Sequence, residues 1–372
     1  SLIGIGIVNK GMVSVNVISN VKSVRNRQKW LENHVTEWST LKSKEVIDIY
    51  LKQLEVLRTQ TIDKITNSAV DESVKKKKIE DNFFNDDPAN TEINNTEINN
   101  MISSHVIDGI ALTKFIYWIK KINKKKITKV DAQIKLEKFR KQNKNYLYPS
   151  FETIAGSGKN GAIVHYRAKK DSCRTIKKND IFLCDSGGQY KYGTTDVTRT
   201  ICFTKPKQNI KNIYTKVLKG HIAVANTDLK VDNTGIKIDR RARKYLKESK
   251  LDYAHGTGHG VGFFLNVHEG PQSLSKLNKV KIQKGMILSN EPGFYKRGSY
   301  GIRIENLVFV KKVKKKICFE NLTLAPIEKD LINFNLLTKS EKNYLFKYHL
   351  NVYSKLSKYL SPNERKWLAS YI

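Results

Sequence analysis

The chain has 372 residues, enough for one large domain or two ordinary ones with a sizeable core. Its 68 Lys and Arg against 35 Asp and Glu leave a formal charge of +33, while 17 Tyr and 14 Phe supply bulky core residues. No uncharged apolar run reaches the roughly 18 residues of a membrane-spanning helix, so no membrane partner is expected. The charge itself invites a nucleic-acid partner, because clustered Lys releases counterions on binding phosphate. Yet the runs at 74–78, 120–126 and 311–316 carry little Arg and no interleaved aromatic residues. Bidentate phosphate recognition favours Arg, and single-strand binding favours stacking platforms. The excess Lys is therefore read as surface composition, and nucleic acid is not expected.

In chain order, the glycines and β-branched residues of "SLIGIGIVNKGMVSVNVI" suit strands better than a helix, and Lys10 interrupts the apolar run. No basic leader or small-residue cleavage site is visible, so no signal peptide is read. The start on Ser1 suggests a fragment or a trimmed chain. Apolar spacing near three and four predicts a helix over 35–67. Residues 71–100 are polar, rich in Asn and Lys, and contain the tandem "NTEINNTEINN". They are expected to be a disordered low-complexity insertion separating an N-terminal region, 1–70, from the main domain, 101–372. That domain opens with an amphipathic helix over 101–122. A second helix follows Thr128, which with Asp131 fits a capping box.

From residue 151 the texture changes to glycine turns and β-branched runs. Strands are predicted over 180–190, 194–203, 285–295 and 300–313, helices over 208–226 and 236–249, and a helical tail over 338–372. Helices among antiparallel-looking strands make this an α+β domain. Cys173, Cys184, Cys202 and Cys318 form no CxxC pair and, without a secretory signal, read as reduced thiols of a cytoplasmic protein.

The chemistry is carried by carboxylates on the strands. Asp185 ends an apolar strand and Asp196 lies eleven residues later across a glycine-containing turn, so a hairpin would bring both to one cleft. Glu291 lies in "SNEPG". Glu305 lies in "IRIENLVFV", where a period of two sets Arg303, Glu305 and Leu307 on one face and Ile302, Ile304 and Asn306 on the other. Taken singly, these acids read equally well as turn caps or salt-bridge partners, and Glu305 as a pair for Arg303. Taken together with His259 in "HGTGHGVGFFLNVHEG", they form four carboxylates and one imidazole. Gathered in one site, the four charges would repel strongly. Two divalent cations would neutralise them and make a shared water acidic enough to attack. Mostly oxygen ligands with one imidazole favour Mn²⁺, with Zn²⁺ or Co²⁺ also able to bind.

"DSGGQYKYGTTDVTRT", "HGTGHGVGFFLNVHEGP", "SNEPGFY" and "YGIRIENL" together resemble the metal-binding blocks of the pita-bread metallopeptidases. In wording they are closest to the eukaryotic cytosolic Xaa-Pro aminopeptidase (aminopeptidase P) branch. The likeness covers roughly 101–372 and implies a curved, mostly antiparallel sheet covered by helices, ending in a helical extension. It implies that Asp185 holds one metal, that His259 and Glu291 hold the other, and that Asp196 and Glu305 bridge them. Glu291 would also accept the proton of the attacking water. His165 and His268 would line the pocket, stabilise the tetrahedral intermediate and help protonate the leaving nitrogen. His255 matches a pocket histidine, and Arg303 would orient the bridging carboxylate. The implied substrate is a peptide with proline at the second position, and the implied assembly a homodimer. Such enzymes carry two further domains upstream, so a catalytic-domain fragment or a loss of those domains is expected. A prolidase-like dipeptidase of the same fold is the near alternative, and a methionine aminopeptidase departs further in wording. A nucleic-acid-binding relative without catalysis would be expected to have lost ligands, and all five positions are present.

Overall fold

The computed structural model describes residues 4–8, 12–16, 95–122, 127–168, 173–264, 266–314 and 316–372. The chain divides into two compact units, Ser1–Asn90 and Thr91–Ile372. In the first, β1 (Gly4–Val8) and β2 (Met12–Asn16) pair antiparallel, as the β-branched residues predict. The helix predicted over 35–67, and the low-complexity segment up to residue 94, lie outside the described residues.

The second unit starts its first helix, α1, at Asn95 and runs it to Ile122. The tandem's last residues, 95–100, are therefore helical instead of belonging to the insertion. The reason is burial, because Glu97 and Met101 are already covered at this end. Helix α2 (Lys129–Arg140) begins with the predicted capping box, the Thr128 and Asp131 side chains each bonding the other's backbone N–H. Strands β3 (Tyr146–Pro149), β6 (Gly188–Tyr190) and β7 (Gly193–Thr194) form a small outer sheet. The next sheet has the order β4 (Ile154–Ser157), β5 (Ile181–Ser186), β8 (Val197–Cys202), all antiparallel. Two helices follow, α3 (Gln208–Ala225) and α4 (Gly235–Lys247), and then the two-residue strands β9 (Gly258–His259) and β10 (Ser273–Leu274).

Two predicted long strands are broken. The run over 285–295 splits into β11 (Ile287–Asn290) and β12 (Gly293–Lys296), because Pro292 has no N–H for a ladder. The run over 300–313 splits into β13 (Tyr300–Arg303) and β14 (Asn306–Val313), because its partner changes from β12 to β11 at Ile304–Glu305. Strand β15 (Lys316–Asn321) closes that second sheet. The predicted helical tail is two helices, α5 (Lys339–Leu356) and α6 (Pro362–Ala369), the second capped by Ser361 with Pro362 at its start.

The helices cover one side of the strands. Leu112, Phe115 and Ile116 of α1 pack with Phe182, Cys184, Val197 and Ile201 of β5 and β8. Tyr214, Val217 and Leu218 of α3 and Leu345, Tyr348 and Val352 of α5 pack with Ile302 and Ile304. Asn306 joins this side through the buried Arg199 guanidinium, which donates to Asn306 Oδ1 at 2.7 Å and to the carbonyl oxygens of Ala325 and Pro326. The period-two assignment of Ile302, Ile304 and Asn306 is thus the observed one. The opposite parity, with Asp185, Arg303 and Glu305, is left for chemistry. Lys120, part of one surface-read Lys run, is instead bound between Glu328 and Asp330.

Candidate metal centre

Asp185 lies directly across from Thr198 in the β5–β8 ladder, so both point to the same face. Along β8 the period of two gives Val197, Arg199 and Ile201 to the helices and leaves Asp196, Thr198 and Thr200 on the other side. Asp185 and Asp196 are both buried there, 8% and 4% exposed. Glu291 and Glu305 come from the two strand breaks, where the backbone leaves one partner for another. At the second break the Glu305 N–H donates to Thr198 O at 3.2 Å, stitching the sheets together beneath the acids.

His259 arrives on β9. A Cβ at Gly258 would lie 2.0 Å from Ser289 O, so only glycine lets this strand come so close to β11. The His259 N–H donates to Ser289 Oγ at 2.9 Å, and that hydroxyl donates to Glu291 Oε1 at 3.0 Å. His259 Nδ1 lies 2.9 Å from Gly260 O, the geometry of a donated N–H, which leaves Nε2 directed at the acids. Nε2 is 3.5 Å from Asp196 Oδ2 and 3.4 Å from Glu291 Oε1. Ligand atoms of Asp196, His259 and Glu305 all lie within 4.8 Å of one another.

Electrostatics shows what this cluster lacks. Burial, then the like charges of Asp185 and Glu291, push the Asp196 carboxyl well above its usual range. Burial, then Asp196, Glu291 and Asp185, push Glu305 the same way. Burial also raises Glu291, but His259, His255, Arg303 and the Ser289 hydroxyl outweigh it and hold this carboxyl low. Asp185 Oδ1 and Asp196 Oδ1 are buried with no hydrogen-bond partner. Crowded carboxylates with orphaned oxygens, facing an imidazole nitrogen, are a donor set that divalent cations would satisfy. A second cluster, Cys202, Glu328 and Asp330, makes the contrast. There Lys120 Nζ already sits 2.6 Å from Glu328 and 2.9 Å from Asp330, so the protein supplies its own cation.

The direct ionic partner of Arg303 is Asp185 and not Glu305, its candidate pair when that acid is taken singly. Arg303 also donates through NH1 to Tyr295 Oη at 2.7 Å. It reaches Glu305 only through Thr198, whose hydroxyl accepts from Arg303 Nε at 2.9 Å and donates to Glu305 Oε2 at 2.6 Å. Arg303 therefore neutralises Asp185 and orients Glu305 at one remove. Three residues here escaped the sequence reading: Thr198, Ser289 and Tyr295. Each is an ordinary strand residue whose signal is only its position, one pleat or two from an acid.

The other histidines are not equivalent. His268 lies ring to ring with His259, centroids 4.1 Å apart, and burial, then the neighbouring His259, lowers its pKa to about 4. His165 is exposed and lies near enough to His268 to weigh on that ring. His255 has its Nε2 2.8 Å from Tyr295 Oη and so connects to the centre through Tyr295 and Arg303.

Known proteins of one metallopeptidase family match this chain. The sequence pattern of metallopeptidase family M24 matches residues 99–312, and that of the C-terminal region of the same family matches 315–372. A protein of Pyrenophora tritici-repentis named "Probable Xaa-Pro aminopeptidase P" is 43% identical over 273 residues, 70% of this chain and 46% of the relative. Among solved structures, X-prolyl aminopeptidase from Caenorhabditis elegans, described as a cytosolic enzyme with a di-nuclear active site, superposes with a TM-score of 0.72 at 36% identity. It covers 76% of this chain and 48% of its own. Prolidase from Pyrococcus furiosus gives 0.55 at 26% identity, covering 63% and 65%. The chain spans about half the length of the curated relatives it matches. With the blocks, the α+β pita-bread fold and the acid cluster in agreement, this chain belongs to metallopeptidase family M24.

Proposed function

We propose that this chain is the catalytic part of an aminopeptidase that hydrolyses the N-terminal Xaa-Pro bond with two divalent metal ions. The observation that carries it is the gathering of four carboxylates and His259 from separate strands, with buried oxygens left unpaired. The di-nuclear description of the C. elegans enzyme and the naming of the fungal relatives support the same reading. In it Asp185 would hold one ion and His259 and Glu291 the other, with Asp196 and Glu305 contributing to both. Mn²⁺ is the proposed ion on the strength of the oxygen-rich donor set.

When bound, the ions supply Lewis acidity and an activated water. The chain's own residues do the rest. Glu291, oriented by the Ser289 hydroxyl, is the proton acceptor at Oε1. His268, ring to ring with His259, and His165 hold the peptide carbonyl, and the exposed His165 returns a proton to the leaving nitrogen. That nitrogen belongs to a tertiary amide without an N–H, so it leaves poorly until protonated. His255, tied to Tyr295, lines the pocket. Arg303 balances Asp185 and keeps Thr198 on Glu305.

A cytoplasmic setting is proposed from the cytosolic description of the C. elegans enzyme. No described helix is long and apolar enough to cross a membrane. Homodimerisation is proposed from the sequence resemblance, and light scattering on the purified chain tests it. The activity test is release of free Arg from Arg-Pro-Pro after Mn²⁺ addition, with Arg-Ala-Pro as control. Turnover of Arg-Pro-Pro alone supports the reading. Cleavage restricted to Xaa-Pro dipeptides would make the chain a dipeptidase, and no turnover of any would overturn the catalytic assignment.

A further inference from the structure

The proposed metal site leaves one buried ionic system unused. On α4, Asp239 and Arg243 are each only 1% exposed and lie one turn apart. Arg243 Nε donates to both Asp239 oxygens, at 2.9 and 2.8 Å. The guanidinium then spends its remaining donors on one loop: NH1 on Asp252 Oδ1 at 2.7 Å and Tyr253 O at 2.6 Å, NH2 on His255 O at 2.6 Å. It also lies 3.9 Å over the Tyr253 ring. Asp239 reaches the same loop, accepting from the Thr257 hydroxyl at 2.6 Å. A helix needs none of this to be stable, since an exposed pair at this spacing contributes little. Burying it is costly unless every donor and acceptor finds a partner. Here the partners are four residues of the 252–257 segment, Asp252, Tyr253, His255 and Thr257.

The far side of that segment meets the metal site. Thr257 O accepts the Glu291 N–H at 2.8 Å, and Thr257 N–H donates to Leu274 O at 2.7 Å. His255, whose carbonyl Arg243 holds, carries the ring that bonds Tyr295. A continuous set of bonds therefore runs from Asp239 through Thr257 to the backbone of Glu291. A parallel set runs from Arg243 through His255 to Tyr295 and Arg303.

We propose that Asp239 and Arg243 are positioning residues of the metal centre, acting through Thr257 to fix where Glu291 is presented and through the His255 carbonyl to fix the pocket histidine. They touch neither metal nor substrate. The proposal rests on the metal-site reading above. Its consequence is that the fully buried Thr257 hydroxyl controls metal affinity. Residues that orient metal ligands from behind typically change metal affinity or activity by about 10–100-fold.

Thr257→Val keeps the shape and leaves Asp239 bound to Arg243, so the fold should persist. Expected for T257V are about tenfold weaker Mn²⁺ binding by calorimetry with the metal alone, and kcat on Arg-Pro-Pro lowered more than KM is raised. Melting of the metal-free variant should be within a few degrees of the unmodified chain. Thr257→Ser, which restores the hydroxyl, should recover both affinity and kcat. Hydrogen exchange on the metal-free chain reads the same bonds without metal, and the Glu291 amide should exchange about tenfold faster in T257V. Unchanged Mn²⁺ affinity in T257V, or T257S behaving like T257V, would overturn the proposal. So would unchanged exchange, even if the unmodified chain takes up no Mn²⁺. That last failure to bind metal would by itself overturn the metal-site reading instead.

Discussion

Replacing Arg303 by Met is the perturbation whose consequence the structure makes most explicit. The guanidinium is 2% exposed and donates to Asp185, Thr198 and Tyr295. Its loss leaves Asp185 as a buried carboxylate facing Asp196, with no compensating cation from the protein. Removing one partner of a buried pair typically costs about 3–5 kcal/mol, most of it from the charge left behind. In a unit of this size each kcal/mol moves the melting temperature by about 2–4 °C, so the metal-free variant should melt about 10 °C lower. With Mn²⁺ bound, Asp185 has a cation again, and much of that loss should be recovered. The assay is calorimetric melting of unmodified and R303M chains, each with chelator and with excess Mn²⁺. In the doubly substituted R303M/D185N chain, the metal-free loss should be well below the sum of the single losses. An equal loss with and without Mn²⁺ would refute the reasoning, because Asp185 would then be gaining nothing from a metal.

Other consequences follow from the same geometry. Glu291→Gln keeps the Ser289 contact but cannot accept a proton, so kcat should fall by about 10²–10⁴ while the fold remains; near-normal kcat sinks the assignment. His259→Ala should leave about one metal per chain by elemental analysis, since only Glu291 then holds one ion without sharing; a ratio of two would show that His259 is no ligand. Acid stability should depend on His349. Its Nε2 accepts the Ile327 N–H at 3.1 Å, and burial, then Arg199 and Lys329, lowers its pKa to about 4. The unfolded ring titrates near 6.5, so below that pH the unfolded chain takes up the extra proton. The stabilisation is present at neutral pH and is lost as pH falls from 6.5 to 4, about 3 kcal/mol in all. Melting temperature should drop across that window, and less steeply in His349→Gln; identical slopes would contradict the burial argument.

The site was legible in sequence because its chemistry is unusual where it occurs. Asp185 and Asp196 flank strands whose other residues are apolar or β-branched, and four acids with one glycine-framed histidine call for cations whatever the fold. The glycines framing that histidine have a physical reason, since Gly258 and Gly260 pass so close to Ser289 O and Glu269 O that no side chain fits. What stayed hidden was where strands end. Periodicity ran through Glu291 and Glu305 as if the ladders were continuous, but both acids sit where pairing switches, and pairing is a long-range property. The start of α1 was missed because Asn and Thr have weak helix propensity, and it is burial of Glu97 and Met101 that makes 95–100 helical. The partner of Arg303 was missed because Glu305 is near in sequence while Asp185 is near in space.

The central claim is that Asp185, Asp196, His259, Glu291 and Glu305 form one two-metal site. Anomalous diffraction from crystals grown with Mn²⁺ tests it most directly. The account predicts two peaks about 3.5–4 Å apart, both contacted by Asp196 and Glu305, one also by Asp185 and the other by His259 and Glu291. A single peak, or peaks away from these five side chains, would contradict it.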